Sequence, residues 1–248
     1  MMNLSPFPCL RHSCTTLLTV LAAGVCLITQ APAGELSVKD GQKIAFMGDS
    51  ITQAGAGPEG YVTLVIRGLE AIGVKAASIP AGISGHKSDQ MLERLERDVL
   101  VKKPDWMTLS CGVNDVWHGD KGVPLDKYRT HITSIVNKCQ TAGIKVMILT
   151  STMIGEDPSR PENQKLAGYN EFLRNLAKEK KCLMADLNAG MQAAITKAGP
   201  DKKGNLLTSD GVHMNPAGNR MMATGVLKAF GLSPEQLDKA VKSWDPVK

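Results

Sequence analysis

Aromatic side chains are scarce in this chain: 4 Phe, 3 Tyr and 3 Trp make up 4% of 248 residues. With no long apolar insertion to form a lid, that scarcity argues against a deep tunnel for a long acyl chain. An excess of one charge is also lacking. The 29 Lys and Arg residues face 24 Asp and Glu, a net charge of +5. The basic residues gather nowhere more densely than Lys178-Glu179-Lys180-Lys181, so a nucleic-acid partner is not expected. Of 6 cysteines, Cys9, Cys14 and Cys26 lie near the N-terminus, and Cys111, Cys139 and Cys182 have no metal-type spacing. No His, Asp or Glu cluster has it either, so no metal or other cofactor is expected. The Gly-x-Ser-x-Gly elbow, the strained nucleophile turn of α/β-hydrolases, is missing.

The longest apolar run is N-terminal. Arg11 and His12 precede Leu17–Ile28, and Ala31-Pro32-Ala33 follows. A basic start, a short apolar centre and an Ala-x-Ala site describe a secretory signal peptide over residues 1–33 better than a membrane span. Export to the periplasm or medium is expected, with cleavage near Ala33 and no stable membrane association. Lipid attachment at Cys26 is the alternative, weakened by Val25, which stands where a small residue belongs. Residues 34–248 contain no repeat, low-complexity tract or linker and are expected to form a single domain. Their oligomeric state is left open. So is the redox state of Cys139 and Cys182: each precedes a strand-like run, and a disulfide or two buried thiols fit equally.

Short apolar runs rich in β-branched residues lie at 43–48, 74–79, 106–111, 145–151 and 182–187. Between them, Met91, Leu92, Leu95 and Val99 recur at helical spacing. So do Tyr128, Ile132, Ile135, Val136 and Cys139, and then Leu166, Tyr169, Leu173 and Leu176. Strands alternating with helices predict an α/β fold, a three-layer α/β/α sandwich on a five-stranded parallel sheet. Pro124 opens one helix and Gly143 closes it. Ser233-Pro234-Glu235-Gln236 combines an N-cap, a first-turn proline and a capping-box glutamine. The longest irregular stretch, 153–161, leaves the fourth strand.

Four short blocks follow these strands. Gly48-Asp49-Ser50 ends the first, and open α/β sheets hold their ligands at such carboxyl ends. Ser50 would open a helix, whose free N–H groups favour developing negative charge. Gly82-Ile83-Ser84-Gly85 reads as a glycine-rich turn whose Gly82 N–H can approach a substrate oxygen closely. Gly112-Val113-Asn114-Asp115 offers a side-chain amide, which either satisfies its own turn or donates to an oxyanion. Asp210-Gly211-Val212-His213 supplies a carboxylate and an imidazole three residues apart, with Asn215-Pro216 opening the next helix. A hydroxyl nucleophile, a base and a carboxylate to orient the base are the equipment of a serine hydrolase. Asp49, Trp117 and His118 are candidate substrate contacts, with Trp117 either stacking on a sugar or packing internally. His86 lies in a loop at the rim, and His131 inside a helix is expected to be structural.

The order Ser50, Gly82, Asn114, Asp210 and His213 resembles the SGNH or GDSL-type hydrolase family, over roughly residues 42–230. The resemblance implies a flavodoxin-like SGNH fold. It also implies Ser50 as nucleophile and an oxyanion hole made of the Ser50 and Gly82 backbones and the Asn114 amide, with Asp210 and His213 completing the triad. The Gly-Asp-Ser-Ile-Thr form of the first block is similar to that of exported carbohydrate acetylesterases. A small-molecule or polysaccharide ester is therefore the expected substrate, cleaved through an acyl-serine. Lysophospholipase or thioesterase activity is the alternative within the family, with acyl transfer to a sugar hydroxyl also open. A non-catalytic glycan-binding module is the alternative outside it. Pro80 departs from the pattern: the family often has asparagine there, so altered support around the Gly82 loop is expected.

Overall fold

The run Ile44–Met47 shows no polar alternation and is fully buried on both faces, as a central strand of a covered parallel sheet must be. The computed structural model describes residues 1–2 and 36–245; the body of the expected signal peptide, its cleavage site near Ala33, and Cys9, Cys14 and Cys26 lie outside the described residues. The chain runs β1 (Lys43–Gly48), α1 (Ser50–Gly55), α2 (Tyr61–Ala71), β2 (Ala77–Gly82), α3 (Ser88–Asp98), β3 (Trp106–Ser110), α4 (Val113–Trp117), α5 (Leu125–Thr141), β4 (Lys145–Leu149), α6 (Pro161–Glu179), β5 (Leu183–Ala185), α7 (Leu187–Ala198), α8 (Pro216–Ala229) and α9 (Pro234–Lys242). All pairings are parallel, in the order β2-β1-β3-β4-β5. That is the flavodoxin-like order, with its switch point where the chain turns from one half of the sheet to the other beside β1. One apolar cluster extends from Val38 to Trp244 and holds the helices against the sheet.

The second strand starts three residues later than the expected 74–79. Ile72, Gly73 and Val74 are drawn into the end of α2, where the Val74 N–H donates to the Leu69 carbonyl at 2.9 Å, satisfying carbonyls that a helix end leaves orphaned. The shift places Pro80 inside β2, opposite Phe46. The Ala77 N–H donates to Gln42 O at 2.9 Å and the Ile83 N–H to Gly48 O at 3.1 Å. Hydrogen-bonding direction alternates along a parallel strand, so Pro80 and Gly82 turn their nitrogen sides to the open edge of the sheet. Proline therefore costs the ladder nothing there. The fourth and fifth strands are shorter than the runs 145–151 and 182–187: past Leu149 the Ser151 N–H turns to Asn170 and the Thr150 hydroxyl to Asp186 at the carboxyl edge.

Helix punctuation follows the local chemistry. Pro124 precedes α5, and Asn215 caps α8 through Gly218 N–H at 3.0 Å. Ser233 and Gln236 form the capping box of α9. Cys139 and Cys182 are free thiols, and burial pushes Cys139 up to about 12, with Cys182 adding to the shift. Among the described residues no helix is long and apolar enough to cross a membrane.

Candidate active site

Ser50 stands where β1 ends and α1 begins. Asp49 is the N-cap of α1, its Oδ1 accepting the Ile51 N–H at 2.9 Å, so the turn leaves Ser50 at the helix start with its N–H uncommitted to the helix ladder. Asp49 was expected to touch substrate; instead it is 2% exposed and serves the cap. Burial pushes its carboxyl up to about 6, the Ile51 N–H opposing and the buried Asp115 carboxylate adding to the rise.

Ser50 Oγ lies 2.9 Å from His213 Nε2, and His213 Nδ1 lies 2.6 Å from Asp210 Oδ2. A carboxylate only accepts, so Nδ1 carries the proton and Nε2 presents its lone pair to the serine hydroxyl. Asp210 Oδ1 also accepts the N–H groups of Val212 and His213, at 2.9 and 2.8 Å. The His213 hydrogen bond, with these two, holds Asp210 down to about 2. The arrangement can take a proton from Ser50 and keep the resulting imidazolium beside a fixed negative charge.

Gly82 ends β2 opposite Gly48, and Asn114 lies in α4 just past β3; the Gly82 N–H, expected to hold an oxyanion, is instead turned to the open edge of the sheet, away from β1. A Cβ on Gly82 would collide with the backbone N of Gln53 and sit 2.7 Å from the Thr52 carbonyl carbon; only glycine lets β2 pass α1 this closely. Asn114 follows Gly112, whose φ of +135° suits glycine. The end of β3 before it is pinned by two hydroxyls, Tyr128 and Ser151, each donating to the Cys111 carbonyl at 2.7 Å. Asn114 is 4% exposed, and one amide hydrogen goes to the His86 carbonyl at 3.2 Å. A primary amide has two, which leaves one for a ligand.

A cleft of about 300 Å³ adjoins the triad, walled by Trp117, Asp157, Arg160, Asn205, Asp210 and Val212 among others. Trp117 is 46% exposed, so it is not a packing residue. His118 is exposed, its ring 6.2 Å from that of Trp117, and is not among the residues walling this cleft. His131 accepts or donates a bond to Ser88 Oγ at 3.1 Å, inside α5 as expected. A larger cavity of about 610 Å³, between α7, α8 and α9, contains none of the triad residues. No group of three or more His, Cys, Asp or Glu among the described residues is placed to hold a metal ion.

Two residues that support the site were not singled out from the sequence. Arg94, 4% exposed on α3, donates to Gly48 O and Ala81 O, each at 2.8 Å, and pairs with Asp98 at 2.9 Å. It ties together the carboxyl ends of the two strands that lead to Ser50 and Gly82. Arg94 and Asp98 form an i,i+4 pair on the stripe otherwise made by Met91, Leu95 and Val99, a signal available in the spacing. Asp115, fully buried, accepts the Ser88 N–H at 3.0 Å and Cys111 Sγ at 3.4 Å, joining the asparagine block to α3.

Residues 46–221 match the model of the GDSL-like lipase/acylhydrolase family. The acetylxylan esterase of Geobacillus stearothermophilus is 28% identical over 79% of this chain and 97% of its own length. Its crystal structure superposes with a TM-score of 0.72 at 26% identity, covering 79% of this chain and 97% of that one. Structures of that enzyme include catalytic mutants at a serine, an aspartate and a histidine, the last two three residues apart. Another acetyl xylan esterase structure is 38% identical, with a TM-score of 0.72 over 75% of this chain and 98% of that one. An uncharacterized lipoprotein of Bacillus subtilis is 23% identical over 59% of this chain and 70% of its own.

Proposed function

Since the chain belongs to the GDSL-like lipase/acylhydrolase family and is a carboxylic ester hydrolase, we propose that it removes acetyl groups from a carbohydrate, acetylated xylan being the substrate its relatives point to. The observation that carries this reading is the unbroken chain Ser50–His213–Asp210, at 2.9 and 2.6 Å, with one Asn114 amide hydrogen left free on α4. Ser50 Oγ attacks the ester carbonyl as His213 Nε2 takes its proton. The Ser50 N–H and the free amide hydrogen of Asn114 receive the oxyanion; the Gly82 N–H, expected to join them, faces the open edge of the sheet, away from β1. The sugar hydroxyl leaves with the proton from His213, and water then repeats the sequence on the acetyl-serine.

The short, polar cleft beside Asp210 supports a small acyl group on a hydrophilic alcohol rather than a lipid chain. Trp117 offers its exposed face to a sugar ring there, with the exposed His118 ring 6.2 Å from it as a second candidate contact. Export, with cleavage near Ala33, fits a polymer substrate that does not enter cells. Acetyl release from acetylated xylan, and rates on p-nitrophenyl acetate, butyrate and octanoate, test the proposal with Ser50→Ala as control. The expected result is release from xylan, a preference for acetate, and loss of about 10⁶-fold in kcat in Ser50→Ala with folding intact. A preference for octanoate would replace the carbohydrate reading with a lysophospholipase or thioesterase one, and binding of xylan without turnover of any ester would leave a glycan-binding module.

A further inference from the structure

The loop that leaves β4 carries a carboxylate, that of Glu156, whose side chain is 2% exposed. Glu156 Oε2 accepts the Leu206 N–H at 2.6 Å and Lys202 Nζ at 3.0 Å. Its Oε1 accepts the Leu207 and Thr208 N–H groups at 2.7 and 2.8 Å and the Thr208 hydroxyl at 2.9 Å. Three successive backbone N–H groups thus converge on one anion, the concave arrangement that backbone turns make for negative charge. Burial alone would raise this carboxyl, but the Leu206 and Leu207 N–H groups, Lys202 and Thr208 together hold it down to about 2.

Those N–H groups open the segment that ends in the triad. Ser209 N–H donates to His213 O at 2.8 Å, Asn215 N–H to Leu207 O at 3.0 Å, and Thr208 bridges to Met214. Residues 207–215 are therefore a small closed hairpin with Asp210 and His213 at its tip. The tip meets the same loop again, where the Gly155 N–H donates to Gly211 O at 2.6 Å. The loop itself is held, since Asn163 of α6 exchanges bonds with the Ile154 N–H at 2.9 Å and the Ile154 carbonyl at 3.0 Å. Glu156 is thus the charged link between a fixed loop and the hairpin.

We propose that Glu156 is a positioning residue for the acid–base pair: by gathering the N–H groups of Leu206, Leu207 and Thr208, it sets the hairpin on which Asp210 and His213 stand, and through it the His213–Ser50 contact. The proposal rests on the reading of Ser50, His213 and Asp210 as the catalytic triad. Glutamine in its place keeps the length but brings an amide NH₂, a donor, against a set of donors.

The test is the rate at which an alkyl fluorophosphonate labels Ser50, because this probe reads serine activation without needing a sugar or an acetyl group. Wild type labels and Ser50→Ala does not; labelling of Ser50→Ala at the wild-type rate would remove the triad reading and the proposal with it. For Glu156→Gln, labelling and kcat on p-nitrophenyl acetate fall together by about 10²-fold, with KM little changed and circular dichroism intact. A folded Glu156→Gln that labels at the wild-type rate overturns the proposal and leaves the triad reading standing. If Glu156→Gln does not fold, Thr208→Val, which removes one donor, decides. Labelling slowed about tenfold supports the proposal, and an unchanged rate overturns it.

Discussion

Asp49 and Asn114, just past the ends of β1 and β3 beside Ser50, are 2% and 4% exposed, whereas the side chains of Asp210 and His213 are 52% and 37% exposed. The first half of the site is a by-product of sheet packing. Its backbone is held by the β1–β2 and β1–β3 ladders, by Arg94 across Gly48 and Ala81, and by two hydroxyls on Cys111. The second half rests on the core only through Val212 and Leu207, and its reacting side chains are placed by polar contacts: Asp210 with two N–H groups and one imidazole, and Glu156 at the hairpin's base. Substitutions in the first half should therefore disturb stability and activity together, and those in the second activity alone.

The largest effect that would sharpen this contrast is expected from Asp210→Asn. It removes the charge that holds the His213 tautomer, and kcat should fall by up to about 10⁴-fold while the thermal midpoint stays put. A comparable loss of midpoint would erase the distinction between the halves. Gly82→Ala should do what Asp210→Asn does not. Its Cβ meets the Gln53 and Thr52 backbone, so α1 must move. Overpacking of this kind costs about 1–3 kcal/mol, and a shift of α1 displaces the Ser50 N–H, an oxyanion donor whose loss costs about 10²–10³-fold in kcat. A Gly82→Ala protein with wild-type stability would show that the strand ends are less constrained than their burial implies.

Asp49→Asn is the smallest of the three and acts through pH. The folded carboxyl titrates at about 6 against 3.8 for the free group, so the native state keeps its proton longer than the unfolded chain does. Stability contributed by this group is therefore full below about pH 4, falls as pH rises to about 6, and stays lowered above, by roughly 2–3 kcal/mol. Asparagine retains the cap acceptor and cannot ionise. The variant's midpoint should exceed that of wild type at pH 8 and lose the advantage at pH 4; a difference independent of pH in thermal melts would contradict this.

The pattern of alternating apolar runs and helical stripes was enough to read the α/β class and the five strands, because burial on both faces writes itself into local composition. The start of β2 was not legible, since the cap of α2 and the strand compete for residues 72–74 and only the helix's orphaned carbonyls decide between them. Pro80 looked like a departure from the family pattern. Its position on an edge strand, nitrogen outward, removes the conflict, and no local rule reveals which strand is the edge. Of Arg94 only the i,i+4 pairing with Asp98 is legible; its carbonyl partners, and the N–H groups that Glu156 gathers, lie 13 to 52 residues away, and ordinary charged residues carry no local mark of such partners.

Ser50 therefore comes from the sequence with a proposed role and named partners. The order of Ser50, Gly82, Asn114, Asp210 and His213 after successive strands follows from residue type and spacing alone. Folding decided the rest. It buried Asp49 as a cap, turned the Gly82 nitrogen to the sheet edge, left Trp117 open beside the cleft, and hung Asp210 and His213 on a hairpin tied down by Glu156. Local spacing sets which groups can react. Which N–H groups are left free and which carboxylates are enclosed depends on contacts between segments far apart in the chain, and those exist only once the sheet has closed its core.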